Sequence, residues 1–250
     1  MSIADKVLQL KQDIDDAYQA GYDKGIGEGG SGDSWYDTFW DAYQENGERE
    51  SYGYAFSGSG WNDITFKPKY KFVAKVRTGF NDMFRGNTGI TEFVSSDYFG
   101  TQTLGPYAGY MFYGATIKKV VFDLTGFTAI GHMFRDSSVE WIELYNNSSS
   151  YDRTFEGCAS LKHLYIEGSG KAVTAFNVGK SPLDKESLIS AFNFLSPSKT
   201  GLTATFSRAA VISAFELEVD SETGEFIPSE GLDEWNALVA TRSNWNISLT

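Results

Sequence analysis

A single cysteine among 250 residues excludes an internal disulfide framework, so the fold has to be held by its apolar core. With only two histidines, His132 and His163, and no HExxH, CxxC, GxSxG or phosphate-loop pattern, the usual support for metalloprotease, redox, hydrolase or nucleotide chemistry is missing. No apolar run approaches the roughly 20 residues that span a bilayer, and the N-terminus lacks the basic-then-apolar order of a secretory signal. Positive charge is also short, with 21 Lys and Arg against 33 Asp and Glu for a net charge of −12. Nucleic-acid binding needs a basic surface to displace counterions, so that partner is not expected. The first 50 residues carry 12 of the acids and four of the cations. They read as a solvated helix surface, with cation binding as the alternative.

What the chain does have is aromatic and apolar material, 16% and 41% of it, enough for a substantial core. Much of it is periodic. Five segments repeat a phenylalanine, a small polar turn and apolar residues spaced i, i+3, i+5: AFSGSGWNDITF from Ala55, MFRGNTGITEFVS from Met83, MFYGATIKKVVF from Met111, MFRDSSVEWIEL from Met133 and TFEGCASLKHLYI from Thr154. The phenylalanines are Phe56, Phe84, Phe112, Phe134 and Phe155, separated by 28, 28, 22 and 21 residues. The i+3 to i+5 step is a strand alternation, so each copy sends a pair of side chains inward and the residues between them outward. One such strand cannot cover its apolar side, whereas stacked copies can. The spacing predicts parallel strands over 62–66, 91–94, 119–123, 141–145 and 162–167, with the phenylalanines buried behind them. Ser95 is a weak third member of its triplet. Phe176 follows Phe155 by 21 residues but no triplet follows it, so the array is expected to end there. Cys158 occupies a small-residue position in the last copy and reads as a buried structural thiol rather than a nucleophile.

Around the array the chain divides into further parts. In 1–24, Ile3, Val7, Leu10, Ile14, Ala17 and Gly21 step as a heptad seam, predicting a coiled-coil helix that joins copies of the chain as a dimer or trimer. An amphipathic helix lying on its own domain is the alternative. Residues 25–33 read as a Gly-rich linker. Residues 34–54 read as a capping helix, with Ser34 as N-cap, Gly47 as stop and an aromatic stripe of Trp35, Phe39, Trp40 and Tyr43. The array takes 55–180, and 181–250 reads as a small α/β cap: a helix introduced by Ser181-Pro182, a strand at 202–206, a helix capped by Ser207, a hairpin around Thr223-Gly224, a helix bearing Trp235 and a final strand alternating Trp245, Ile247 and Leu249. The acidic DSETGE at Asp220 has some calcium-loop character without the EF-hand spacing.

The repeat resembles the BspA-like branch of leucine-rich repeats, and Phe155, Gly157, Cys158, Leu161, Leu164 and Ile166 match its pattern best. The openings MSIADKVLQL, AYQAGYDKGIGEGG and WYDTFWDAYQENG, and the tail segments SPLDKESLISAFNFLS, GLTATFSRAAVISAF and DEWNALVATRSNWNISLT, are similar to the ends of leucine-rich proteins encoded in prophages of Gram-positive gut bacteria. The resemblance implies an α/β leucine-rich-repeat solenoid. It also implies a place in the virion as a tail fibre or receptor-binding protein, among other tail or baseplate proteins, recognising a host cell-surface glycan or protein. Fold alone does not state an activity. A structural tail component or bacterial interaction protein is the second reading, and a glycan-active enzyme the third.

Outward strand positions supply the candidate site. Lys119 and Asp123, then Trp141, Glu143 and Tyr145, then His163, Tyr165 and Glu167 align as ladders when the copies stack. Aromatics mixed with polar groups suit sugar stacking or a protein hot spot. No catalytic residue, metal ligand or cofactor is expected. The heptad seam has its own consequence, because a helix of about 20 residues is marginal alone. Deleting residues 1–24 should leave a folded protein whose mass in solution, measured by light scattering, falls to that of a monomer. A full-length chain already monomeric at micromolar concentration would remove the coiled-coil reading.

Overall fold

The computed structural model describes residues 48–49, 56–57, 71–146 and 153–250. Within them the chain is α/β, with short parallel strands and few helices. In chain order the elements are β1 (Glu48–Arg49), β2 (Val73–Ala74), β3 (Glu92–Val94), α1 (Ser95–Tyr98), β4 (Lys119–Asp123), β5 (Trp141–Tyr145), β6 (His163–Ile166), β7 (Phe176–Val178), α2 (Lys185–Phe194), β8 (Leu202–Phe206), α3 (Arg208–Ala214), α4 (Glu230–Ala240) and β9 (Trp245–Leu249). Three parallel sheets result, β1-β2, β3-β4-β5-β6 and β7-β8-β9.

The central sheet follows the repeat. Phe93 pairs with Val120, Val120 with Ile142 and Ile142 with Leu164, so one triplet position forms a row across four strands. Phe122, Leu144 and Ile166 form the next row. The leading members, Ile90, Ile117, Val139 and Leu161, are buried beside them. Facing these rows, the five repeat phenylalanines form one column of rings. Successive centroids are 5.1, 5.5, 5.6 and 6.1 Å apart, with interplanar angles of 11°, 5°, 6° and 7°. Such separations lie in the favoured range for aromatic pairs.

The last four of these phenylalanines are each bracketed by two left-handed residues. Two positions before it stand Asp82, Tyr110, His132 and Arg153, with φ of 58°, 56°, 59° and 49°; two positions after stand Gly86, Gly114, Asp136 and Gly157, with φ of 63°, 64°, 58° and 82°. The reversal aims backbone N–H groups at the next copy. Phe84, Phe112 and Phe134 donate to the carbonyls of Met111, Met133 and Thr154, while Gly86, Gly114 and Asp136 donate to those of Tyr113, Arg135 and Glu156. Glycine carries this geometry freely, whereas an L side chain costs about 1–2 kcal/mol.

Several expectations are corrected. Ser95 starts the short helix α1, and its hydroxyl accepts the Asp123 N–H at 2.8 Å. It therefore closes the edge of β4 rather than filling the core as a strand residue. Of the stretch 34–54 only Glu48 and Arg49 are described; they follow Gly47, the expected stop of the capping helix, and form β1, which pairs with β2 in an insertion before the second copy, while the helix itself lies outside the described residues. The strand predicted at 62–66 lies outside the described residues, as do the helix at 1–24, the linker and the aromatic stripe. Phe176 lies in a strand of its own, and its ring meets Phe155 edge-on at 5.9 Å and 64°, ending the parallel stack.

Beyond that point helix and sheet change places. Helix α2 lies along β6, where Ser187 Oγ accepts the Leu164 N–H at 2.8 Å and Ser190 Oγ accepts the Ile166 N–H at 3.1 Å. Its N-cap is Asp184, which accepts from the Ser187 N–H, so the helix starts later than Ser181-Pro182 implied. Ser181 instead donates to the Cys158 carbonyl at 2.9 Å. Strand β8, the Ser207 cap, helix α4 and strand β9 fall where the sequence places them. Around Thr223-Gly224 the chain makes a tight loop closed by the antiparallel bridge between Val219 and Phe226.

Phe134 is fully buried between two rings of the column. Phe134→Ala should cost about 3–5 kcal/mol, the range for a large aromatic cavity that cannot collapse. Urea unfolding checks it, and a loss under 1 kcal/mol would show that the column does not carry the stack.

Candidate functional site

Parallel pairing in register brings the outward side chains of β4, β5 and β6 together. Lys119 faces Trp141, which faces His163; Val121 faces Glu143, which faces Tyr165; Asp123 faces Tyr145. Trp141 and Tyr165 are 39% and 40% exposed, whereas Tyr145 is half-buried. Seven of the eight residues expected from sequence thus form one surface. Asp123, at the end of β4, belongs to a separate set, accepting bonds from the Thr125 N–H and hydroxyl and from Asn146. Ile3, Val7, Leu10 and Ile14 lie outside the described residues.

The surface is bonded to itself. The Trp141 indole N–H and the Tyr145 hydroxyl each donate to one oxygen of Glu143, both at 2.6 Å. Tyr165 donates to Glu167 at 3.2 Å, and its ring lies 5.7 Å from that of Tyr145. His163 stacks on Trp141 at 3.6 Å and 17°, while the Lys119 ammonium lies over the same ring at 5.6 Å. Lys119 comes from the strand on one side and His163 from the strand on the other, so the indole is flanked on both sides and offers its edge to solvent. Register makes the neighbours legible in the sequence. The torsion angles that lay them over the ring do not show in it.

Two groups absent from the sequence reading complete this wall. Glu140, just before β5, bridges Lys118 at 2.9 Å and Lys162 at 3.5 Å. Asp184, the α2 cap, places a carboxylate oxygen 3.6 Å from His163 Nδ1. A further cluster on the turn side was also missed, where the Tyr110 and His132 rings stack at 4.5 Å and 5°. Nothing in the sequence marks it, because Asp82, Tyr110, His132 and Arg153 share an offset from the repeat phenylalanine but no side-chain chemistry.

Comparison with known proteins adds no relative, since no family model, curated protein or solved structure matches the chain. Among the described residues no group of His, Cys, Asp and Glu could hold a metal ion, and no helix is long and apolar enough to cross a membrane. At DSETGE, one Asp220 oxygen accepts from the N–H groups of Glu222 and Thr223 and from the Thr223 hydroxyl, the bonding of a turn. Cys158 is fully buried, and burial pushes its thiol up to about 12, so it is inert at neutral pH.

Electrostatics couples Glu143 to Tyr145. The tyrosine hydroxyl, donating into the carboxylate, holds Glu143 below its ordinary 4.5, and the same bond pushes Tyr145 from 10.0 up to about 12. A lowered carboxylate value adds stability above 4.5 that is lost on acidification through the folded value. A raised phenol value adds stability below 10.0 that is lost as pH rises toward 12. Glu143→Gln should return Tyr145 toward 10.0, seen as earlier phenolate absorbance in an alkaline titration, with Tyr145→Phe identifying the component. An unchanged titration would show that the bond is not made in solution.

Proposed function

We propose that the chain is a leucine-rich-repeat solenoid of the BspA-like kind, serving as a non-enzymatic recognition protein of a phage tail. In this reading the N-terminal heptad segment joins copies or anchors them to other tail or baseplate proteins. The outward face of β4, β5 and β6 holds a glycan or protein of the host cell surface. The observation that carries the reading is the set Lys119, Trp141, Glu143, Tyr145, His163, Tyr165 and Glu167 on one rigid sheet. Their mutual bonds pre-order the side chains, so little rotamer freedom is left to lose when a ligand arrives. Rings, carboxylates and an ammonium group side by side supply stacking area, acceptors and donors together.

One observation favours the second reading, a structural tail or baseplate component without host recognition. The indole of Trp141 is flanked by Lys119 and His163, so a sugar ring stacks on it only after the Lys119 end swings aside. That movement is inexpensive for a flexible, half-exposed chain, and a protein partner can use the indole edge without it.

Purified full-length protein, applied to a glycan array and to host cells, separates the two readings. Trp141→Ala should weaken attachment by about 1–3 kcal/mol, the range of an aromatic anchor, with little change in melting temperature. Unchanged attachment by the folded variant would overturn the strand-face reading. A large drop in melting temperature would identify Trp141 as a packing residue instead.

A further inference from the structure

We infer that the turn side of the stack, across the core from the strand face, carries a second recognition surface built to hold a neutral saccharide. Tyr110 and His132 occur in successive copies at the left-handed position before the repeat phenylalanine, and their rings stack at 4.5 Å and 5°. Tyr110 is 36% exposed, and Tyr113 lies 5.9 Å from it. The Arg85 guanidinium sits over both tyrosines, 5.0 Å from the Tyr113 centroid and 6.0 Å from that of Tyr110. Arg135 approaches His132 Nδ1 at 3.5 Å from the other end.

The backbone argues that these side chains are kept for what they present. Three of the four left-handed positions after the phenylalanine hold glycine, so the repeat has the unstrained solution within reach. All four positions before it hold larger residues; aspartate and histidine tolerate this conformation comparatively well, whereas the tyrosine and the arginine are held in one their side chains disfavour. Strain held in register at a surface points to use of that surface.

Charge chooses the ligand class. Arg85 is paired with Asp82 at 3.0 Å, and Arg135 and Arg153 both reach Glu156, at 3.6 and 3.9 Å. With Asp136 3.5 Å from Arg135, these three cations stand beside three carboxylates, so the group has no excess of either sign to draw a charged ligand. Paired guanidinium and carboxylate groups beside aromatic rings offer donors, acceptors and an apolar plane without net attraction for charge, which suits the hydroxyls and C–H faces of an uncharged sugar. This surface shares no residue with the strand face and does not rest on the reading given to it.

The test uses full-length protein and a panel of uncharged oligosaccharides, hexose and N-acetylhexosamine oligomers, with affinity measured by calorimetry. Tyr110→Gly should weaken binding at least tenfold while the melting temperature holds or rises, because glycine fits the backbone there without strain. His132→Gly should act in the same direction, and Trp141→Ala should bind these sugars as the parent does. Three results would overturn the inference: a parent that binds none of the panel, a Tyr110→Gly protein that binds as the parent does, or binding lost in Trp141→Ala and kept in Tyr110→Gly. If both glycine variants lower the melting temperature and lose binding only in proportion to the unfolded fraction, the ring stack is a structural device and the inference also fails.

Discussion

From the second copy to the fifth, each repeat is hydrogen-bonded to the next along two walls at once, and that double pairing fixes everything else. On one wall the strands pair in parallel register. On the other, the N–H groups of the repeat phenylalanine and of the residue two beyond it reach the following copy. With both walls tied, no copy can slip by a residue without breaking the opposite set. Equivalent side chains are therefore forced into columns, inside as well as outside. The phenylalanine column is the inward product, its rings 5.1 to 6.1 Å apart because the strand spacing of about 4.8 Å sets a floor. The two outward products are the ladders on the strand face and on the turns.

This explains which parts of the structure were legible. A column needs the same residue class at the same offset, so the phenylalanines, the apolar rows and the partners of Trp141 could be read directly. Strands over 119–123 and 141–145 fall where the spacing places them. Features set by one copy alone were not legible. Ser95 breaks its triplet because a hydroxyl, rather than a strand, meets the Asp123 N–H. Strand β7 carries no triplet, since it belongs to a different sheet and pairs with β8 at long range. Similarly, the series Asp82, Tyr110, His132 and Arg153 shares no chemistry. What unites it is a φ angle, and a sequence does not display φ when the residue is not glycine.

The strand face is ordered by a division of labour along each strand. Even-numbered residues of β5, Ile142 and Leu144, are buried and hold the strand in place. Odd-numbered ones, Trp141, Glu143 and Tyr145, are joined by Glu143 as a shared acceptor. A lone exposed tryptophan would sample several rotamers. Here an indole hydrogen bond, a stacked imidazole and an overlying ammonium hold one of them, and each partner comes from a position that register alone determines. The consequence is a surface whose side chains are ordered by one another and by the strand register.

A parallel stack must also end, and its last strand exposes unpaired backbone groups that would template further pairing. Helix α2 closes β6 by an unusual substitution, in which side-chain hydroxyls take the place of strand carbonyls. Ser187 and Ser190 are three residues apart on one face of the helix, a rise of about 4.5 Å. The N–H groups of Leu164 and Ile166, two apart on a strand, are separated by about 6.6 Å. Rotation about the serine side chains takes up the difference, leaving bonds of 2.8 and 3.1 Å. Neither carbonyl nor amide of the helix is spent, so α2 keeps its own ladder while it satisfies the sheet. Because this edge is occupied, β6 cannot extend into a second copy, and association of the chain has to use another part of its surface.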